Sequence, residues 1–198
     1  MKTLKYGYFG EDNAQQLFLE NYLSQLPIYL KLTEKVVFEK DEYFKLKGEN
    51  KPNVLKLFAE AAQKGLAYYQ QDVFFVGVDS DDDEHGKLHS QMTKKLFPAF
   101  KHQTFIFIPV QCIEHWLLYL KFKKEHPQSN KNETFERIAR PEAKKRMYGF
   151  PRPVASKQAE IVITFTQNMD IEWLQARSES FSHSQVIKFL EKVASETA

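Results

Sequence analysis

The sequence predicts an α/β protein with a mainly parallel, Rossmann-like sheet flanked by helices, and three apolar runs carry that expectation. Leu4 to Phe9, Val73 to Val78 and Phe105 to Val110 have the length and composition of buried strands. The stretches between them show helical spacing, and strands alternating with helices favour parallel pairing. Each run also has a carboxylate close behind it: Glu11, the cluster Asp79, Asp81, Asp82, Asp83 and Glu84, and Glu114.

After the first strand, Gly10 and Asp12 mark a turn. A helix from Asn13 to Leu26 follows, with Leu19, Tyr22, Leu23 and Leu26 on one side. The second strand is expected within Val36 to Leu46, interrupted near Lys40 and Asp41. Gly48 to Pro52 reads as a loop whose proline opens the next helix, where Leu55, Phe58, Ala62 and Leu66 recur at helical spacing. A helix from Lys87 to Leu96 stops before Pro98, and the third of the apolar runs feeds a helix containing Glu114, Trp116, Leu117 and Leu120. Beyond His126 the pattern changes to short basic segments broken by Pro141, Pro151 and Pro153. Residues 1–126 are therefore expected to form the α/β core, and residues 127–198 a basic helical extension packing on it. Within the extension, Ile161 to Phe165 fits a strand or a buried helix by periodicity, with helix favoured by context. Val186, Phe189, Leu190 and Val193 mark one face of a last helix.

Composition narrows the class of protein. A chain of 198 residues can bury a substantial core, and its lone Cys112 allows neither an internal disulfide nor a cysteine zinc cage. No apolar run approaches the roughly 20 residues of a spanning helix, and the first residues lack a signal-peptide core. A cytoplasmic protein is expected. Overall net charge is only +2, yet residues 121–157 hold eleven lysines and arginines against four glutamates, a local +7. That stretch reads either as a phosphate track or as a solvated helical face. Lys144, Lys145, Arg146 and Arg152 are its candidate phosphate contacts.

If the strands lie parallel, their carboxyl ends share one edge, where open α/β sheets bind ligands. Glu11, Asp79, Asp81 and Glu114 would then converge. Crowded carboxylates repel one another unless protonated or holding a cation, and hard oxygen donors in this number suit Mg²⁺ or Mn²⁺. Each acid also has an ordinary explanation: Asp79 as a loop cap, Asp82 to Glu84 as a solvated turn, and Glu114 as a favourable charge at a helix start. His85 and His89, at i,i+4 spacing, could offer imidazoles to Zn²⁺, and Cys112 with His115 could be imagined as a nucleophile pair. Exposure and packing, respectively, are the ordinary alternatives.

The segments GEDNAQQLFL, VDSDDD and PVQCIEHWLL, each behind a strand, resemble the Toprim domain shared by topoisomerases, primases and certain nucleases. IEHWLL followed much later by ARSESF and a terminal helix is similar to a Toprim-like bacterial family considered with the overcoming-lysogenization-defect nucleases. The family pattern commonly has Glu-Gly after the first strand and a second acid a turn later; here those positions hold Glu11-Asp12 and Gln15. The resemblance implies that Glu11 is the Toprim glutamate, Asp79 and Asp81 the Asp-x-Asp metal pair, and Glu114 the matching helix glutamate. It further implies a Mg²⁺-dependent nuclease acting on DNA or RNA, an ATPase partner and antiphage defence as the setting. Two other classes stay open: an Asp-x-Asp phosphatase using Asp79 as nucleophile, and a non-catalytic interaction subunit.

Overall fold

The computed structural model describes residues 1–81, 83–150, 154–182 and 184–196. Four strands form one all-parallel sheet: β1 (Lys2–Gly10), β2 (Val36–Lys40), β3 (Val73–Gly77) and β4 (Thr104–Phe107), in spatial order β2-β1-β3-β4. The order follows from the side chains. Every residue of β3 is buried, so β3 needs cover on both faces and a partner on both edges. Its residues alternate between two apolar clusters, Val73 and Phe75 on one face and Phe74 and Val76 on the other.

The helices are α1 (Asn13–Tyr29), α2 (Lys51–Gln63), α3 (His85–Lys95), α4 (Glu114–Glu125), α5 (Arg140–Tyr148), α6 (Ala155–Thr166), α7 (Ile171–Arg177) and α8 (Ser184–Glu196). Side chains of α2 and α3 pack with Phe74 and Val76, whereas α1, α4 and the helices after residue 127 pack on the Phe75 face. That second cluster runs without a break from β1 through Trp116 to Val193, so the described helices after residue 127 complete the core. Trp116, fully buried, meets Phe18 at 5.3 Å and Phe181 at 5.1 Å between ring centroids.

The predicted α/β class and parallel sheet are found, with local differences that have physical reasons. Helix α1 runs through Pro27 to Tyr29. Strand β2 ends at Lys40 because Asp41, after its N–H reaches Tyr6 O at 2.8 Å, turns the chain by accepting from Tyr43 N at 3.1 Å. Strand β4 stops at Phe107: Pro109 has no N–H to continue a ladder. Ile161 to Phe165 lies inside α6, a helix as favoured.

Because β1 is followed by a strand on one side and β3 lies on its other side, the chain diverges between them. Their carboxyl ends form the topological switch point of the sheet. Gly10 and Gly77 face each other there. A Cβ on Gly77 would come within 2.6 Å of the Tyr8 hydroxyl and 2.7 Å of Gln15 Oε1, so the glycine makes room for a polar layer above the strand ends.

Candidate active site

Asp79 is the centre of that layer, 1 % exposed at the switch point. Its Oδ1 accepts from Gln15 Nε2 at 2.7 Å, and its Oδ2 meets Arg140 Nη2 at 3.3 Å. Gln15 is itself oriented by the Tyr8 hydroxyl, which donates to its Oε1 at 3.2 Å. Glu11 stands on the neighbouring strand end and accepts the Asp79 backbone N–H at 3.0 Å, while its own N–H donates to Gly77 O at 3.2 Å. Glu11 and Asp79, 68 residues apart in sequence, therefore occupy one rim.

The loop after β3 is zipped to the loop after β4. Ser80 N donates to Pro109 O at 3.1 Å, Asp81 N to Gln111 O at 3.2 Å, and Gln111 N to Ser80 Oγ at 2.8 Å. Asp81 and Gln111 both adopt positive φ, 52° and 59°, which turns each side chain back over the rim. Asp81 thereby pairs with the Arg140 guanidinium through Oδ1 and with Lys51 Nζ at 3.3 Å through Oδ2. Lys51 also reaches Asp83 at 2.8 Å and Ser80 O at 2.5 Å.

Glu114, on the first turn of α4, is buried. Its Oε1 accepts from the Tyr148 hydroxyl at 3.0 Å and lies 4.0 Å from Lys144 Nζ, while its Oε2 has no hydrogen-bond partner among the described residues. Asp12 caps α1 by accepting Gln15 N at 2.9 Å.

Electrostatics registers the crowding. Burial, then the charges of Glu11, Asp12 and Glu114, hold the Asp79 carboxyl well above the usual carboxylate range, with Arg140 opposing. Glu11 is raised by burial and by Asp81 and Asp12, against the hydrogen bond from Asp79 N and the charge of Arg140. Asp12 is raised by burial and by Glu114, although Gln15 N and Lys144 pull it down. The four acids expected from the sequence thus share one electrostatic neighbourhood. Among the described residues, however, no group of three or more His, Cys, Asp or Glu side chains is arranged to hold a metal ion. The space between Asp79 and Asp81 is taken by Arg140.

Arg140, Lys51, Gln15 and Gln111 were not among the expected site residues. A signal for two of them exists: Lys51 and Arg140 each open a helix, directly before Pro52 and Pro141. A cation at a helix N-terminus opposes the helix dipole, so it needs an acid outside its own helix. Of the expected phosphate contacts, Lys144 faces Glu114, Lys145 is exposed and Arg146 pairs with Glu142 at 2.8 Å; Arg152 lies outside the described residues.

The ARSESF segment has a structural role. The buried Glu136 carboxylate accepts from Ser178 Oγ at 2.7 Å, Glu179 N at 2.6 Å, Ser180 N at 3.3 Å and Ser180 Oγ. Ser180 Oγ in turn accepts from Trp116 Nε1 at 2.8 Å and Val110 N at 3.2 Å. Gln111, the next residue, accepts Arg140 N at 3.0 Å on its Oε1 and donates to Glu136 O at 3.5 Å. Glu136 thus fixes the loop that fixes Arg140.

The histidines take ordinary places. His115, fully buried, has Nδ1 3.3 Å from Cys112 Sγ and Nε2 2.9 Å from Ile138 O. Burial, reinforced by Glu114 and Asp79, pushes the Cys112 thiol up, so it stays protonated and packs. His85 and His89 lie on α3 with ring centroids 6.5 Å apart and planes tilted by 32°.

No protein-family model, no curated protein and no solved structure matches the chain. No helix among the described residues is long and apolar enough to cross a membrane.

Proposed function

We propose that this chain is a divalent-metal-dependent phosphodiesterase acting on DNA or RNA, with Glu11, Asp79, Asp81 and Glu114 as the metal-binding acids. One observation carries the reading. A carboxylate 1 % exposed at the switch point is surrounded by further acids that raise its pKa, an arrangement costly to the fold. Carboxylate oxygens are the donors that Mg²⁺ or Mn²⁺ prefers, and among the described residues the Oε2 of Glu114 has no hydrogen-bond partner, although binding would require the acids to draw together around the ion. When bound, the ion would lower the pKa of a coordinated water and neutralise charge growing on the phosphodiester.

The residues of the chain do the rest. Gln15 orients Asp79, the Asp79 backbone N–H orients Glu11, and burial excludes bulk water from beneath the acids. Glu11, held by the Asp79 backbone N–H at 3.0 Å and with its pKa raised chiefly by burial, is the candidate to take a proton from that coordinated water. Lys145 and Arg146, exposed on the outer side of α5, would meet the nucleic-acid backbone, and phosphate contacts of this kind position without selecting a base. The resemblance would put an ATPase beside the chain as a gating partner, antiphage defence as its setting and the cytoplasm as its compartment.

The test is cleavage of supercoiled plasmid, single-stranded DNA and RNA by the full chain, with Mg²⁺, with Mn²⁺ and with chelator. Metal-dependent cleavage is expected, and Glu11→Gln should lower it by about 10²-fold. Cleavage that persists in chelator, or that Glu11→Gln leaves intact, would remove the site. Replacing Lys145 and Arg146 together with alanine should flatten the salt dependence of nucleic-acid binding by a slope of about 1 to 2; an unaltered slope would return that helix face to plain solvation.

The second reading, a non-catalytic interaction subunit, is favoured by the ion pairs of Arg140 with Asp79 and Asp81, which already balance much of the acid charge. It requires folded, metal-supplied protein to be inert on all three substrates. An aspartyl-phosphate phosphatase is the weakest reading, since it leaves Glu11, which shares the rim with Asp79, without a role.

A further inference from the structure

A notch interrupts the sheet at the pole opposite the carboxylate rim. In β1 the residues Lys2–Lys5 run beyond the start of β3, because the ladder between those strands begins at Tyr6 with Val73 and the ladder of β3 with β4 at Phe74 with Thr104. Lys5 O accepts from Asp72 N at 2.8 Å and Lys5 N donates to Asp72 Oδ2 at 2.8 Å, so Asp72 closes the notch at its inner end. Parallel strands place all their amino ends at this pole, and the nine residues of β1 set it roughly 25 Å from Glu11 and Asp79.

Helix α8 supplies the remaining wall and makes the notch a cavity of about 480 Å³, within the range of small-molecule sites. Gln185, Lys188, Phe189, Lys192, Val193 and Glu196 recur at intervals of three and four, so one stripe of the helix borders it. The floor is apolar: Leu4, Phe105 and Val193 are buried, and Phe189 meets Phe105 edge-on at 5.6 Å between ring centroids. The mouth is cationic. Lys2 comes from β1, Lys101 from the turn before β4 and Lys188 from α8, and among the described residues none of the three is in an ion pair. Lys192 differs, lying 3.9 Å from Glu196. Ammonium groups without acids around an apolar floor complement an anion carried on an apolar body.

We infer that this notch binds a small aromatic anion of the nucleoside monophosphate class, with its ring system on Phe105 and Phe189 and its phosphate among Lys2, Lys101 and Lys188. The wall decides between an aromatic and an acyl body. Asp72 and Gln103 line it with polar atoms, which the edge of a base can hydrogen-bond and which an alkyl chain would cover without compensation. Every base also has a π face to lay on the phenyl rings. None of the acids of the rim takes part.

The probe is 8-anilinonaphthalene-1-sulfonate, an aromatic anion that fluoresces when bound, titrated into the full chain with chelator present and challenged with adenosine 5′-monophosphate, adenosine and decanoate. One saturable site is expected, emptied by the nucleotide, with adenosine about tenfold weaker for want of the phosphate. Replacing the exposed Lys101 and Lys188 together with alanine should weaken dye and nucleotide by about tenfold. Replacing Lys56 and Lys64 with alanine removes the same charge from the opposite face of the sheet and should leave both unchanged.

No saturable binding, or equal binding after loss of Lys101 and Lys188, would overturn the site. Adenosine as effective as its monophosphate would overturn the placement of the phosphate. Displacement by decanoate and not by the nucleotide would overturn the aromatic class in favour of an acyl carboxylate. Chelator and the distance between the poles keep this test separate from the proposed phosphodiesterase: failure here leaves the rim as it stands, and intact cleavage by Glu11→Gln would leave the notch as it stands.

Discussion

Asp79→Asn is expected to make the protein more stable and nearly inactive. On the proposed function the catalytic loss should be about 10³-fold, some 4 kcal/mol of barrier, because an amide would not supply the negative charge needed to hold a divalent cation. The stability gain should be about 1 kcal/mol near neutral pH. Burial and the neighbouring acids raise the folded-state pKa of Asp79 above its ordinary 3.8, so the folded protein holds this proton more tightly than the unfolded chain does. Its ionised form is therefore a cost to folding, greatest above the raised pKa and relieved as pH falls towards 3.8. Asparagine removes that cost while its carbonyl can still accept from Gln15. Breaking a buried ion pair ordinarily costs about 3 to 5 kcal/mol through the charge left behind, but Arg140 is partly exposed and keeps Asp81. Urea unfolding should show the advantage of Asp79→Asn at about pH 8 shrinking towards about pH 5. A variant less stable than wild type by several kcal/mol throughout would make Asp79 a structural anchor and support the interaction-subunit reading.

Glu136→Ala should be the most damaging single truncation of a charged side chain, by about 3 kcal/mol. Four donors converge on this one buried carboxylate, two of them hydroxyls, of which Ser180 Oγ also accepts from Trp116 Nε1 and Val110 N. Hydrogen bonds to a charged group contribute about 1.5 to 3 kcal/mol each, and buried donors left without an acceptor add their own desolvation cost, partly offset by water entering the space. Glu136→Gln, which keeps one acceptor oxygen, should recover about half of the loss. The same variants should slacken Arg140, whose backbone is held through Gln111. A loss below about 1 kcal/mol in Glu136→Ala, measured by urea unfolding, would show that Ser178 and Ser180 find other partners.

Much of this architecture was legible in the sequence because continuous apolar runs admit few placements. Val73 to Val78, apolar throughout, reads as a buried strand; once it and Leu4 to Phe9 are parallel neighbours, Glu11 and Asp79 share a rim. Boundaries were less legible, since they depend on single residues such as the Asp41 turn or Pro109. Arg140 was hidden for a different reason. It is 59 residues from Asp81, and no local pattern says that a helix within a basic stretch will fold back across the strand ends. The same stretch, counted as a candidate phosphate track, turns two of its cations inward. Glu136 and Ser180 were equally hidden, because a carboxylate among lysines and a serine after an arginine resemble ordinary surface until the loop closes over them.

The clasp between Glu136 and Ser180 also has a consequence for how the protein is made. Ser180 is 101 residues beyond Asp79, so at about 5 to 20 residues per second translation brings it out roughly 5 to 20 s later. Throughout that interval the nascent chain carries its acidic residues without the latch that holds Gln111 and, through it, the start of the Arg140 helix, so the rim takes its final shape only late in synthesis.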